Sequence, residues 1–526
     1  MHENITKKLA ALSTGVGLVL LCYMAYATIY GPYKTTFVHL AIFALCSFVA
    51  LFLDSITQNM ESKFGILKNS LLLVISVSVL GYFIIEFERL INLWGSTYLS
   101  SWDILLGGFF VIICIEASWR QSVVLGTLAI VACFYMLFGD YLPGIFSHAG
   151  MDFERFIYIV VYTSEGLFGT GLKVAATYLF MFIILGSVLR VTKTGDFMID
   201  MANGLLGSKV GGAAKGAMVA SAGLGTIVGS SIGNVLATGT FTIPLMKRTG
   251  FEPHVAAAVE TNTSEGAQLV PPILGASAFI MAQLTGIPYE VIALAAVVPA
   301  SLYYFSLYTV VHIEALKHNI SGLPDDEIPS IKKTFTRGWH LLVAPISLFY
   351  LLLIGSYTVT FASLIAIFTA VFFGLLRKHT RFTLKELIAF LSEGLSQSAR
   401  ITALVISIGL IQAAIVATGL GPRLTDIILD FSNGSLLMTA SLTVVAATVL
   451  GMGMPTPITY LLLAMFAAPA LIECGSTVLS AHLFLFYFAI KSGSTPPVAL
   501  VAVVAASIAE ANWFRTAMTA FIHSLP

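Results

Sequence analysis

Three ionisable side chains stand where a lipid-embedded chain can least carry them: Glu260 and Glu265 in VETNTSEGAQLVPP, and Lys491 in FAIKSGSTPPVAL. A charge at bilayer depth costs roughly 2.5–3.5 kcal/mol on insertion scales, so an intramembrane carboxylate or ammonium is read first as functional. Glu265 lies six residues before Pro271 and Lys491 five before Pro496. Both thus sit in the polar stretch ahead of a Pro-Pro pair. If those stretches face each other, carboxylate and ammonium can pair, which lowers the cost of burying each and sets a titratable group beside the binding site. A purely structural ion pair, or a lysine reaching out to the interface, reads from the same residues.

Other constellations carry less. Glu165 and Lys173 flank the Gly-rich piece of YTSEGLFGTGLK and read as interface residues, while Glu393 and Arg400 border an apolar run as helix-end anchors. His312 and His482 read as core or interface histidines, and no HExxH or GxxxxGK[ST] occurs, so a zinc protease and a Walker ATPase are excluded. An intramembrane hydrolase would need a nucleophile with a base in reach, and nothing in the sequence places Ser230 or Ser231 beside Lys491. The five cysteines are scattered singly without a CxxC and read as small core residues. With 27 basic side chains against 27 acidic ones and no basic tract, nucleic acid is excluded as a partner.

The elements that must position these residues are membrane helices. The 526 residues are 57% hydrophobic and 10% charged, far below the charge a water-facing surface needs. A mean hydropathy of +0.92 defines an all-α polytopic membrane protein. Runs of about 20 apolar residues predict spans over 9–30, 36–54, 67–87, 103–118, 120–138, 174–192, 290–312, 339–356, 358–376 and 400–418. The first follows Lys7 and Lys8. It is too long for a signal-peptide core despite the A-x-A of Ala25-Tyr26-Ala27, and it predicts a cytoplasmic N-terminus. Clusters at Arg190/Lys193, Lys247/Arg248, Lys332/Lys333/Arg337 and Arg377/Lys378/Arg381/Lys385 predict cytoplasmic loops, whereas GDYLPGIFSHAGMDFE, without Lys or Arg, predicts an external one.

The remaining apolar stretches, 221–285 and 441–510, are broken by Gly, Ser, Thr and Pro, and they repeat one pattern. GTIVGSSIGNVLATGTFTIPLMKRTG precedes Pro271-Pro272, and LGMGMPTPITYLLLAMFAAPA precedes Pro496-Pro497. The tip-to-Pro-Pro intervals are about 42 and 43 residues, a match of the kind that marks an internal repeat. Helix ends inside a bilayer expose unpaired backbone groups and are tolerated only beside protein, water or ligand. Two hairpins meeting two unwound helices present helix N-termini to an anion and free carbonyls to a cation, which is transporter architecture. Gly/Ser-rich stretches also serve close helix packing, but packing does not require Pro-Pro at matched positions.

These motifs resemble the fused membrane permease of TRAP transporters, of the type paired with TAXI substrate-binding proteins. The resemblance runs over most of the chain. It is carried by GDYLPGIFSHAG, TSEGLFGTGLKVAATYLFMFIILG, GSSIGNVLATGTFTIPLMKRTGFEPHVAAAVE, QLVPPILGASAFIMA, GMGMPTPITYLLLA, APALIECGSTVLSAHLFLFYF and STPPVAL. It implies a small N-terminal helical scaffold region (1–140) and a large transport domain. That domain comprises two inverted repeats (141–316 and 339–526) joined by the polar linker 317–338, each with a re-entrant hairpin and a broken helix. It further implies an elevator-type movement, localisation to a bacterial or archaeal inner membrane, and ion-driven uptake of small organic acids such as 2-oxoglutarate, other dicarboxylates or glutamate. A periplasmic TAXI-type binding protein delivers them.

By resemblance, substrate binding falls to Ser230, Ser231, Asn234, Gln268, Pro455, Thr456 and Thr495, and ion coupling to Ser264, Glu265, Gly266, Lys491, Ser492 and Ser494. Sodium, where it is the coupling ion, finds places at the backbone of Gly229, Gly233, Gly451 and Gly453. Two residues depart from the family pattern: Glu265 stands where a small hydroxyl residue is usual and Lys491 where an apolar one is. An ammonium can take the place of a cation and a carboxylate can carry a proton, so the expected coupling ion is a proton, or sodium in an altered ratio, with no organic cofactor. Related chains continue with more apolar sequence beyond AMTAFIHSLP. A channel, which would conduct without a binding protein, and an intramembrane enzyme are the rival readings.

Overall fold

The computed structural model describes residues 2–60, 62–92, 99–355, 357–452 and 454–525, without the side chains of 2–4, 227 and 228. Among the described residues every regular element is helical. Ten helices among them are long and apolar enough to cross a membrane. The expected span 400–418 is the end of a 35-residue helix, Leu384–Thr418, and 358–376 forms the 17-residue helix Val359–Leu375. Large apolar side chains such as Leu302, Phe305, Phe368 and Phe372 point outward, as a lipid-facing surface requires.

The chain divides into two compact units, Met1–Ile183 with Leu391–Ile427, and Ile184–Phe390 with Ile428–Pro526. The first unit joins the N-terminal helices to a late stretch of chain by polar contacts that lipid cannot replace. Asp54 accepts from Ser13 Oγ at 2.7 Å and from Ser396 Oγ, Thr14 and Ser392 share a hydrogen bond of 2.8 Å, and Ser407 Oγ donates to the Cys114 carbonyl at 3.0 Å. The Lys/Arg-free loop after Phe138 is held by Arg423, which donates to the Ile145 and Ser147 carbonyls. Glu165 belongs to this unit, where Gln412 Nε2 donates to it at 3.2 Å.

Asp103 is the polar hub of the same unit. Ser100 caps the helix Ser101–Gln121 in a reciprocal capping box with Asp103. The fully buried carboxylate also accepts from Arg89 Nη1 at 3.0 Å, Arg89 Nη2 at 2.7 Å and the Tyr82 hydroxyl at 2.8 Å.

In the second unit, the first hairpin runs Gly212–Val228, turns at Gly229 and Ser230, and returns through 231–248. The first broken helix has halves Pro253–Gly266 and Ala276–Thr285. The second hairpin has arms Leu436–Gly451 and Thr456–Glu473, and the second broken helix has halves Val478–Ile490 and Leu500–Ala509. At the centre lies Pro253–Gly266, in which every residue from Val255 to Gly266 is buried. Its Ala256, Ala257 and Ala258 and the facing Ala502, Ala505, Ala506, Ala517 and Ala520 are all buried, the small-residue contact that brings membrane helices close.

Replacing Asp103 by Ala leaves Arg89, Tyr82 and the Ser100 cap without their acceptor. Because Arg89 is 40% exposed and water can take over part of its bonding, the expected loss is about 2–3 kcal/mol. Unfolding of the detergent-purified variant, compared with wild type, measures it.

Candidate functional site

The two helix breaks are set by proline. A Pro ring removes an N–H and clashes with the preceding turn, and the residue before Pro is driven out of the helical region. Each first half therefore tightens into one 3₁₀ turn, Ala267–Leu269 or Lys491–Gly493, and the chain then turns at its Pro-Pro pair, over 271–273 or 496–498. Both Pro-Pro peptide bonds are cis. The backbone groups freed in the breaks find partners nearby. Gly275 N donates to the Gln268 carbonyl at 2.6 Å, Ala499 N to the Thr495 carbonyl at 3.1 Å, and the Tyr289 hydroxyl to the Pro272 and Ile273 carbonyls.

The hairpin tips meet these breaks through side chains. Ser230 caps the returning arm of the first hairpin, its Oγ accepting from Gly233 N at 3.3 Å. That arm contains a π-helical stretch, Val235–Gly239, a distortion common at functional sites. Gln268 links the two tips: its Nε2 donates to Ser231 Oγ and to Thr456 Oγ1, 3.3 Å away. Each hydroxyl stands in the first turn of a helical arm, so two positive helix N-termini converge on one amide. Ser492 Oγ donates to the Met454 carbonyl at 3.1 Å and so ties the second break to its own tip.

The charged pair lies between the breaks. Glu265 Oε2 accepts from Ser494 Oγ at 2.9 Å and stands 3.9 Å from Lys491 Nζ. The ammonium is too far from the carboxylate for a hydrogen bond; it donates instead to the Tyr303 hydroxyl at 2.8 Å, which donates onward to the Asn262 carbonyl at 2.8 Å. Glu265 Oε1 is buried with no hydrogen-bond partner among the described residues. Two glycines make the fit. A Cβ at Gly266 would fall 2.2 Å from the Tyr303 ring, and one at Gly493 would fall 2.4 Å from Val501 Cγ2 and 2.7 Å from Glu265 Oε1.

The structure thus brings Ser231, Gln268 and Thr456 into one group and Glu265, Lys491 and Ser494 into another. Asn234 and Ser264 form a third: Asn234 Nδ2 donates to Ser221 Oγ at 2.7 Å and to Ser264 Oγ at 3.3 Å. Thr495 turns back on its own helix, donating to the Lys491 carbonyl at 2.7 Å, and the Pro455 carbonyl accepts from Ile458 N and Thr459 N. Gly229 ends the outgoing arm with φ at 65°, Gly233 lies in the first turn of the returning arm, and Gly451 ends the first arm of the second hairpin. Gly453 lies outside the described residues. Sequence reading missed Tyr303, since a tyrosine within the aromatic run Tyr303-Tyr304-Phe305 carries no signal that separates a buried hydroxyl from a lipid-interface one. His482 is a core histidine, its Nδ1 2.8 Å from the Tyr460 hydroxyl.

Paired hairpins and paired broken helices around polar joints define the class, a membrane permease of the secondary-transporter kind. Residues 106–523 match the family model of the tripartite ATP-independent periplasmic transporter, DctM component, and the chain belongs to that family. A putative TRAP transporter large permease protein of Haemophilus influenzae is 24% identical over 296 residues, covering 56% of this chain and 68% of the relative. As a family member, the protein is a multi-pass inner-membrane permease for secondary transport of organic acids, working with a periplasmic substrate-binding protein.

Gly493→Ala drives a methyl group into Val501 and the Glu265 carboxylate. The expected outcome is a loss of about 1–3 kcal/mol of stability, the usual range for overpacking, together with loss of uptake. Thermal unfolding and proteoliposome transport of the same preparation check both.

Proposed function

We propose that the chain is the fused permease of a TAXI-associated TRAP transporter, importing small carboxylates such as 2-oxoglutarate, other dicarboxylates or glutamate by an elevator-type movement coupled to protons. In this reading the repeats 141–316 and 339–526 form the transport domain and 1–140 the small-subunit-like region. The acid binds where the hairpin tips converge, at Ser230, Ser231, Gln268, Pro455 and Thr456, while Asn234 and Thr495, turned to Ser221 and to the Lys491 carbonyl, hold the tip and the break that frame it. The preference for an anion rests on the two helix N-termini, which favour negative charge and offer unpaired N–H groups.

The observation that carries the coupling reading is the incomplete bonding of Glu265. Its Oε2 holds one hydroxyl, its Oε1 holds no partner among the described residues, and Lys491 attracts it from 3.9 Å without a hydrogen bond. One proton can therefore be added to Oε1 without breaking any hydrogen bond, whereas a bidentate pair would first have to be taken apart. Lys491 meanwhile supplies a positive charge in the place a metal cation would fill. Ser264, Gly266, Ser492 and Ser494 complete the coupling group.

Uptake of labelled 2-oxoglutarate and glutamate into proteoliposomes, with and without the cognate binding protein, under a proton gradient and then a sodium gradient, tests the reading. Uptake requiring the binding protein and the proton gradient is expected. Glu265→Gln should flatten the pH profile of that uptake, and an unchanged profile in the variant overturns the role given to Glu265. Flux that needs neither binding protein nor gradient would identify a channel instead.

A further inference from the structure

Glu260, the third ionisable residue of the broken-helix region, has no part in the coupling reading. It is fully buried near the middle of Pro253–Gly266. Hydroxyls enclose its carboxyl group: Thr238 Oγ1 at Oε1, Thr242 Oγ1 2.6 Å from Oε2, and Ser264 Oγ 3.3 Å from Oε1. Thr238 and Thr242 stand one turn apart on the returning arm of the first hairpin. Gly239 between them lets that arm approach, since a Cβ there would lie 3.2 Å from Glu260 Cγ.

No cation pairs with this carboxyl group among the described residues. The basic groups on the surrounding elements are directed elsewhere. Lys215 on the outgoing arm bonds to His312 Nδ1 at 3.0 Å, Lys247 to the Ala509 carbonyl at 2.7 Å, and Arg248 faces Glu327 at 3.6 Å. On the last helix, Trp513–His523, Arg515 faces Glu252 at 3.6 Å and His523 lies among Glu314, His254 and Lys317. The ionisable group set against Glu260 is the Tyr304 phenol, whose hydroxyl donates to the Thr263 carbonyl at 2.9 Å.

Counting hydrogens favours the neutral acid. Each threonine hydroxyl has one hydrogen. Thr238 Oγ1 lies within bonding distance of two acceptors, the Asn234 carbonyl at 2.8 Å and Glu260 Oε1, and Thr242 Oγ1 likewise of the Thr238 carbonyl at 3.0 Å and Glu260 Oε2. Four close oxygen–oxygen contacts share two hydrogens. An ionised carboxylate only accepts, so two of the contacts would set oxygen against oxygen with nothing between them. A proton on Oε1 supplies a third hydrogen: the acid donates to Thr238, Thr238 donates to the Asn234 carbonyl, and Thr242 donates to Oε2, so that one contact, Thr242 with the Thr238 carbonyl, lacks a hydrogen in place of two. Neutrality also removes the cost of an unpaired charge in this buried place.

We propose that Glu260 is a proton-binding site, held as the neutral acid, whose proton ties the returning arm of the first hairpin to the first broken helix. Loss of the proton to water breaks the O–H bond and leaves its electron pair on the carboxylate. The carboxylate then draws the Thr238 hydrogen away from the Asn234 carbonyl and loosens the π-helical stretch that this bond braces. This assignment does not depend on the role proposed for Glu265.

Infrared spectra of the full-length protein in lipid at neutral pH test it, with hydrogen exchange followed over residues 235–248. Glu260→Gln should remove one carbonyl band of a protonated carboxylic acid, and that band should persist in Glu265→Gln. Raising the pH should speed exchange in 235–248 of wild type beyond its intrinsic dependence, and Glu260→Gln should abolish that excess. Should Glu260→Gln fail to fold, Thr242→Val decides the matter by shifting the band without removing it. Loss of carboxylate bands in Glu260→Gln, an unshifted band in Thr242→Val, or a band that responds to sodium in wild type would each overturn the proposal.

Discussion

A backbone that stops being helical inside a bilayer must satisfy its freed N–H and C=O groups within the protein, and this constraint organises the whole second unit. Two Pro-Pro pairs force the breaks. Once they are made, the chain needs donors and acceptors at fixed depth, and the Tyr289 hydroxyl, the Gln268 carbonyl and Ser492 Oγ fill that need. Helices cannot bring such groups from a distance without approaching closely. The alanine-lined faces of Pro253–Gly266 and Leu500–Ala509 follow from that, as do Gly266 and Gly493.

The same constraint explains why polar side chains collect in joints instead of spreading along the helices. Gln268, Glu265 and Ser264 lie within five residues at the end of one half-helix, yet each serves a different neighbour: the two tips, the second break and the returning arm. A half-helix that terminates inside the protein projects its last turn in all directions. One short segment can thereby contact both hairpins and the opposite break, which a continuous span, with one face to lipid, cannot do.

Much of this arrangement is legible in the amino-acid sequence. The doubled Pro-Pro spacing locates both hairpins and both breaks, because proline acts on the backbone wherever it stands, and the matched registers of Glu265 and Lys491 point to their meeting. What each side chain bonds to is not legible there. Asn234 reads as a tip residue but turns to Ser221, since its amide needs a buried acceptor that sequence spacing does not reveal. Thr238 and Thr242 look like ordinary helix threonines, each hydroxyl within reach of the carbonyl four residues earlier. Their second partner, Glu260, comes from another helix. Equally, the polar contacts of Ser392, Ser396 and Ser407 with the N-terminal helices depend on pairings across hundreds of residues.

The space left by Gly493 has a bearing on how such a chain can change over time. The volume that a β-carbon would need at 493 is bounded by Val501 and by an oxygen of Glu265 together. A side chain at 493 competes with both the valine and the long acid for a single place. Substitutions at 265, 493 and 501 are therefore coupled: the valine and the acid must both give way before the glycine can be replaced. Glu265 and Gly493, 228 residues apart in sequence, thus change together with Val501 and not independently.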